Sequence, residues 1–351
     1  MKGRQIVLGH LFGAEAAALV IDGQLHDLIA DPAPVASLAP GAILRGKVER
    51  LMKGQGGVFV RLPDGARGWL RDRAGVGEGQ IVIVQVTGAA EDGKAIPVTN
   101  RLLLKGRFGI VTPAAPGVNV SRRLRDPDLR DRLTTLGESV LDGRAHGLIL
   151  RSACGDAADD EIRDDIAPLA DLADQLLADR DGPPELLLDA TTPWDQAWME
   201  WNDPPPDQVD EGENAFELHG VLDAVDALLH AEISLPGGAS AMIEPTRALV
   251  AVDVNTGADT SPAAALKANI AVARDLPRQL RLRGLGGQVV IDFAPMPKRD
   301  RAVLDQVLRA SFKGEAAETV LSGWTAMGLF ELNRKRDRLP LARLAAAARG
   351  M

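Results

Sequence analysis

The sequence predicts a multidomain α+β protein, and three observations carry that expectation. Five short β-like runs lie between residues 41 and 100, separated by glycine-rich turns, the spacing of a small closed barrel such as an OB-fold. Between residues 248 and 298, two Val/Ile-rich runs flank one long helical pattern, which reads as a strand–helix–strand unit. A length of 351 residues, with 46% hydrophobic and 25% charged, suits two or more globular domains with sizeable cores.

Composition also excludes several classes. The single cysteine, Cys154, rules out an internal disulfide and a multi-cysteine zinc site. His10, His26, His146, His219 and His230 are scattered, with no close metal-binding pair. No stretch approaches the ~20 apolar residues of a membrane span, and the first apolar run is too short for a signal peptide, so a cytoplasmic location is expected. A net charge of −9 disfavours a polyanionic partner on average, but segregated basic patches can still bind one.

Residues 1–40 alternate apolar runs with turns such as Asp22-Gly23, predicting a β-meander too small to stand alone. It must therefore pair with something later. The barrel runs fall at 42–48, 57–62, 68–70, 80–86 and 95–98. Phe59 and Trp69 sit on neighbouring runs, among Lys47, Lys53, Arg61, Arg67 and Lys94. Rings on a basic surface stack the bases of single-stranded nucleic acid, while rings that fill the barrel core are the alternative this pattern leaves open.

In residues 101–185, Arg122, Arg123 and Arg125 are expected at a helix entrance, where unpaired N–H groups attract anions. The strand Gly147–Leu150 delivers Arg151 and Ser152, which would either grip a terminal phosphate or form an ordinary surface turn. Residues 156–181 read as an acidic amphipathic helix with a solvated face. Trp194, Trp198 and Trp201, at i, i+4 and i+7, predict a stripe of core packing. Residues 202–214, N-D-P-P-P-D-Q-V-D-E-G-E-N, predict a loop or linker with no packed element. One amphipathic helix is expected over about 215–231.

The strand–helix–strand unit holds the sharpest feature. Its two apolar runs each end on an aspartate, Asp253 and Asp292. Between them Ser261-Pro262 opens the helix and Gly284 stops it, with Pro277 inside, where a proline costs ~3 kcal/mol or forces a kink. Such a crossover makes the strands parallel, placing both carboxylates at one C-terminal edge. Two hard oxygen ligands suit a phosphate-binding magnesium ion; two plain strand ends are the other reading. A helix over about 300–311, a strand over about 317–321 and a last segment follow, with Arg334, Lys335, Arg336 and Arg338 expected as a basic cluster near the aspartates.

The segments V-A-V-D-V-N-T-G, N-I-A-V-A, R-Q-L-R-L-R-G-L-G-G-Q-V-V-I-D-F and G-L-F-E-L-N-R-K-R together resemble the catalytic domain of the ribonuclease E/G family. R-G-K-V-E-R and G-V-F-V-R resemble that family's S1-type barrel, and G-R-F-G-I with G-L-I-L-R-S its sensor of a 5′-terminal monophosphate. The resemblance implies an RNase-H-like structural subdomain from residues 1–40 and 186–230, the S1-type OB-fold barrel at 41–100 and a 5′-sensor subdomain at 101–185. A DNase-I-like catalytic subdomain at 231–345 and a tail at 346–351 complete it. It implies Mg2+, with Mn2+ as a substitute, held by Asp253 and Asp292 while Asn255 orients the scissile phosphate. Phe59, Trp69 and Lys94 would hold single-stranded RNA, and Gly106, Ile110, Arg151 and Ser152 would surround its 5′ end. The implied activity is hydrolysis of ribosomal RNA precursors or messenger RNA to 5′-phosphate and 3′-hydroxyl ends. Departures from the family pattern are also plain. The C-P-x-C zinc-link has no counterpart, so no zinc is expected, and a monomer or a dimer not linked by zinc is. Thr325-Ala326-Met327 replaces a basic residue, and the RNase-H-like part is short. These departures keep open a family-derived RNA-binding protein with little nuclease activity.

Overall fold

The computed structural model describes residues 3–49, 56–72, 75–90 and 93–350; the expectation at Lys53 lies outside them. The chain divides into two compact units, Met1–Asp22 with Ile29–Glu211, and Gly23–Leu28 with Gly212–Met351.

In the first unit, strands Ile43–Val48, Val58–Arg61, Arg67–Leu70, Ile96–Thr99 and Ile81–Val86 pair in that order, and the last returns to the first. The five-stranded barrel is therefore closed, consistent with an OB-fold. Alternate residues point inward, so Leu44, Val58, Val60, Leu70, Val84 and Val98 fill its centre. Strand Glu185–Leu188 adds to Ile43–Val48 through Glu185↔Arg45 and Leu186↔Leu44, so this piece belongs to the barrel sheet. Buried Arg45 fixes the join by pairing with Asp179 and Glu185.

The N-terminal strands Arg4–Leu11 and Ala14–Ile21 form an antiparallel pair. The partner they required is helix Pro193–Trp201, packed through Ala197 and Trp201, together with a short strand, Gln208–Asp210, parallel to Arg4–Leu11. That strand corrects the expectation that 202–214 hold no packed element. Three residues are too few for any periodicity, and they extend because the edge of Arg4–Leu11 offers backbone partners at Gln5, Ile6 and Val7. The tryptophan stripe holds at two of its three positions: Trp201 is buried and Trp194 packs on the same cluster, but Trp198 is 41% exposed.

Strands Leu104–Lys105, Gly109–Thr112, Gly147–Leu150 and Gly117–Val120 form a second small sheet in that order, covered by helices Pro127–Leu141 and Asp159–Ala178. The expected anion site at the first helix is overturned. The helix begins at Pro127, and the Asp126 carboxylate accepts from the Asp128 and Leu129 N–H groups. It fills the place an anion would take, leaving Arg122, Arg123 and Arg125 in the preceding turn.

The second unit is a six-stranded sheet in the order Glu232–Ser234, Ser240–Pro245, Val250–Asn255, Gly287–Asp292, Phe330–Arg334, Thr319–Trp324. Every neighbouring pair is antiparallel except Val250–Asn255 with Gly287–Asp292. Helices Pro262–Leu282 and Arg301–Ser311 cover one face, burying Val252, Ile291, Leu276, Leu280 and Leu304. Pro277 lies within the first of these, which runs unbroken; packing of its apolar face outweighs the lost backbone bond. The single helix expected over 215–231 is two, Ala215–Leu218 and Val221–Leu229, because Gly220 adopts φ +66° between them. No helix of the described residues is long and apolar enough to cross a membrane.

Candidate active site and nucleic-acid interface

The strands Val250–Asn255 and Gly287–Asp292 run parallel with Asp253 directly beside Asp292. Ser261 caps the helix between them by accepting from the Ala264 N–H, as the sequence signalled. Strand alternation then sets the faces. Val252, Val254 and Ile291 point into the helical core, so Asp253, Asn255 and Asp292 all project from the opposite face, and all three are exposed. The sequence placed the two aspartates at one strand edge; the shared face with Asn255 is the added fact.

The backbone just after Asp292 is held firmly. Asn269, fully buried on the helix, donates from Nδ2 to Ala294 O at 2.9 Å and accepts from Ala294 N at 3.0 Å. Phe293 is wedged against Trp324 and Phe330, with ring centroids 5.7 and 6.4 Å away. Trp324 is itself fixed by donating to Asp305 Oδ1 at 2.8 Å. Sequence reasoning passed over Asn269, although an amide on the inner stripe of an amphipathic helix was a signal that it satisfies buried backbone. It also missed Arg301, whose guanidinium lies 4.4 Å from the Trp324 ring centre. A cation thus reaches the Thr325–Gly328 turn from a neighbouring helix, where the turn's own sequence supplies none.

The expected basic cluster is somewhere else. The last strand is antiparallel to Gly287–Asp292, so Phe330 faces Ile291 and Arg334 faces Gly287. Arg334 therefore lies about 17 Å along the strand from Asp292. There it is buried and paired with Glu315 and Asp337, while Arg281 pairs with Glu315, and Arg338 reaches Asp27 Oδ2 at 3.2 Å. Arg336 packs over Gly287, at the same end. Burial pushes the Asp27 carboxyl up, but Arg338, Arg281 and the Leu28 N–H outweigh it and hold it below its ordinary value.

Among the described residues no group of three or more His, Cys, Asp or Glu side chains could hold a metal. Two adjacent carboxylates are nevertheless a fitting set for magnesium, which binds through one or two carboxylates and retains several waters. Asp253 and Asp292 form no ion pair among the described residues, and their mutual repulsion suits a divalent cation between them.

On the barrel, Phe59 and Trp69 are direct cross-strand neighbours on the outer surface, 4.9 Å apart in T-shaped contact. They are absent from the barrel core, which closes the core-filling alternative. Gly57 makes room for the indole, since a Cβ there would come within 2.7 Å of Trp69. The Arg67 guanidinium lies 4.1 Å from the Phe59 ring centre, and Lys94, Ile96 and Pro97 complete a groove with both rings. Half-exposed aromatic rings beside cations suit successive nucleobases and their phosphates.

Of the four residues assigned to the 5′ end, three meet. Arg151 Nη1 donates to Gly106 O at 2.9 Å, and Ser152 follows at the rim of a polar pocket. Ile110 lies one strand over, paired with Ile149, and does not line that pocket. A side chain at Gly106 would collide with the Asp165 carboxylate, 2.4 Å from its Cβ position. Nearby Cys154 is buried and donates to Phe108 O; burial pushes its thiol up to about 11, marking it as a packing group.

Fold and sites thus define a multidomain α+β protein with a closed OB-type barrel and an exposed carboxylate pair on a mixed sheet. Residues 103–209 and 196–337 match the model of the ribonuclease E/G family, and the chain belongs to that family. It is 27% identical to a protein named Ribonuclease E from Nostoc sp., over 85% of this chain and 51% of that one. It is 27% identical to Ribonuclease E of Synechocystis sp., over 95% of this chain and 57% of that one. With Ribonuclease G of Escherichia coli K12 the identity is 28%, over 75% of this chain and 61% of that one. The chain spans between about half and three-fifths of the length of these relatives.

Proposed function

We propose that this chain is a magnesium-dependent endoribonuclease that hydrolyses single-stranded RNA to 5′-phosphate and 3′-hydroxyl ends, acting on ribosomal RNA precursors or messenger RNA. The observation that carries the reading is the register of Asp253 beside Asp292 with Asn255 on the same face. In this reading the six-stranded sheet is a DNase-I-like catalytic subdomain, and strands Arg4–Leu11 and Ala14–Ile21 with their partners are RNase-H-like. Asp253 and Asp292 would hold the metal, which supplies an activated water and charge neutralisation at the phosphodiester. Asn255 donates its amide N–H to a phosphate oxygen and aligns the scissile bond. Phe59 and Trp69 stack bases and Lys94 neutralises backbone charge, so that a flexible strand is bound as a single strand. Family membership and the barrel groove support this reading.

The test is cleavage of a single-stranded RNA oligomer with and without magnesium. Asp253→Asn and Asp292→Asn are each expected to lower the rate about 10³-fold, the scale of several kcal/mol of transition-state stabilisation. Equal rates in variant and parent would remove these residues from the site. The second reading is an RNA-binding protein with little nuclease activity, favoured by the absence of a cation from Thr325-Ala326-Met327. Salt-sensitive RNA binding without magnesium-dependent cleavage is its signature.

A further inference from the structure

The polar pocket at the end of strand Gly147–Leu150 is lined by Arg107, Arg123, Arg151, Ser152, Asn202 and Asp203, among others. Three arginines and a hydroxyl converge there, a donor set suited to a terminal phosphate. Yet three of these donors already meet acceptors from a single segment. Met199 O accepts from Arg151 Nη1 at 2.8 Å. The Asn202 side-chain oxygen, in the amide orientation that satisfies both groups, accepts from Arg107 Nε and Nη2 at 3.2 Å each. Asp203 Oδ2 accepts from Ser152 Oγ at 2.6 Å. Three acceptors within residues 199–203 thus meet three of the donors that an incoming phosphate would use.

The segment is not loosely placed. Trp201, in its middle, is 4% exposed and belongs to the core beneath the N-terminal strands. Arg4 Nη2 donates to Trp201 O at 3.1 Å, and Asp203 faces the same guanidinium. A phosphate entering the pocket would have to break the Ser152–Asp203 bond and approach a carboxylate of its own charge. Glu200, also on the pocket wall, adds a second. Like charges that close disfavour each other strongly in a partly enclosed site.

We propose that residues 199–203 are a built-in plug of this pocket, and that Asp203 is the specificity-determining residue that makes the chain indifferent to a phosphate at the RNA 5′ end. The carboxylate stands where a phosphate oxygen would otherwise accept the Ser152 hydrogen bond. The inference rests on the RNA reading above, and it reverses the sensing role that resemblance assigns to Arg151 and Ser152.

The test uses the full chain and one RNA decamer, dye-labelled at its 3′ end and carrying either a 5′-phosphate or a 5′-hydroxyl. Binding is followed by fluorescence anisotropy at low salt without magnesium. The unmodified protein is expected to bind both forms equally. Asp203→Ala is expected to bind the phosphorylated form about tenfold more tightly than the hydroxyl form, the scale of one hydrogen bond to a charged group. Asp203→Asn keeps the shape and removes the charge, so it should open a smaller gap in the same direction and covers the case in which alanine unfolds the segment. Adding Ser152→Ala to either variant should erase the gain. A tenfold phosphate preference in the unmodified protein, or none in both Asp203 variants, overturns the plug while leaving RNA binding intact. Failure of every protein to bind either decamer would instead sink the RNA reading, and the plug with it.

Discussion

The two ends of the six-stranded sheet treat charge in opposite ways. At one end Asp253 and Asp292 stand side by side, exposed and without an ion-pair partner among the described residues. At the other, buried Arg334 and half-buried Arg281 both pair with Glu315, and Arg338 pairs with buried Asp27. The second arrangement is architecture: each charge has an opposite charge against it, Glu315 and Asp27 have two cations each, and removing one member leaves the network short of a charge. The first costs stability, because like charges in adjacent strands repel. A divalent cation between the two, as proposed above, would relieve that repulsion. Charge count alone would have ranked the arginine-rich end as the site; solvent access and pairing reverse that ranking.

The contrast can be broken at either end. Arg334→Met should lower stability by about 2 kcal/mol, measured by urea denaturation, because among the described residues it takes one of two cations from Glu315 and the one cation from Asp337. Cleavage by the surviving folded fraction should be unchanged, and a selective loss of cleavage would move the arginine-rich end into the site. Asn269→Ala strands the Ala294 N–H and C=O, costing about 2 kcal/mol. As a prop of the Asp292 backbone it should also slow cleavage about 10–100-fold under conditions where the protein is folded. Stability should fall in acid. The Asp27 carboxyl is held below its ordinary value in the fold, so its contribution is complete above pH ~4 and is lost as pH falls through the lowered value. Arg338→Met should flatten that acid limb in a plot of denaturation midpoint against pH. The smallest effect has the opposite sign. Asp253→Asn, which should slow cleavage about 10³-fold, should raise stability by on the order of a few tenths of a kcal/mol by relieving repulsion with Asp292. A stability loss there would mean the two carboxylates do not oppose each other.

What could be read beforehand followed from local signals. The barrel strands, the Ser261 cap and the paired strand-end aspartates each depend on a few consecutive residues, and alternation carries Phe59 and Trp69 to the outside once Val58 and Val60 are inside. The errors came from facts that are not local. Whether Arg334 lies near Asp292 depends on the direction of the last strand, which its own residues do not encode. Gln208–Asp210 is a strand only because Arg4–Leu11 has a free edge. The Asp126 cap is a local signal, an aspartate before a proline at the first helical position, and it outweighs the neighbouring arginines. The plug at Asp203 was invisible, since Ser152 precedes it by 51 positions.

The Asp27–Arg338 contact has a consequence for how the chain is made. Its two residues are 311 positions apart, and Arg281 and Glu315 close the same network. At a synthesis rate of ~5–20 residues per second, Asp27 leaves the ribosome roughly 15–60 seconds before its last partner exists. Throughout that interval the Asp27 carboxylate lacks these partners, and the second unit cannot complete its charge network until nearly all of the chain has emerged. A piece expressed from residue 212 onward would lack Asp27 altogether, leaving Arg338 and Arg281 short of an acid. A separately made second unit would therefore need the Gly23–Leu28 strand segment supplied in trans or grafted on.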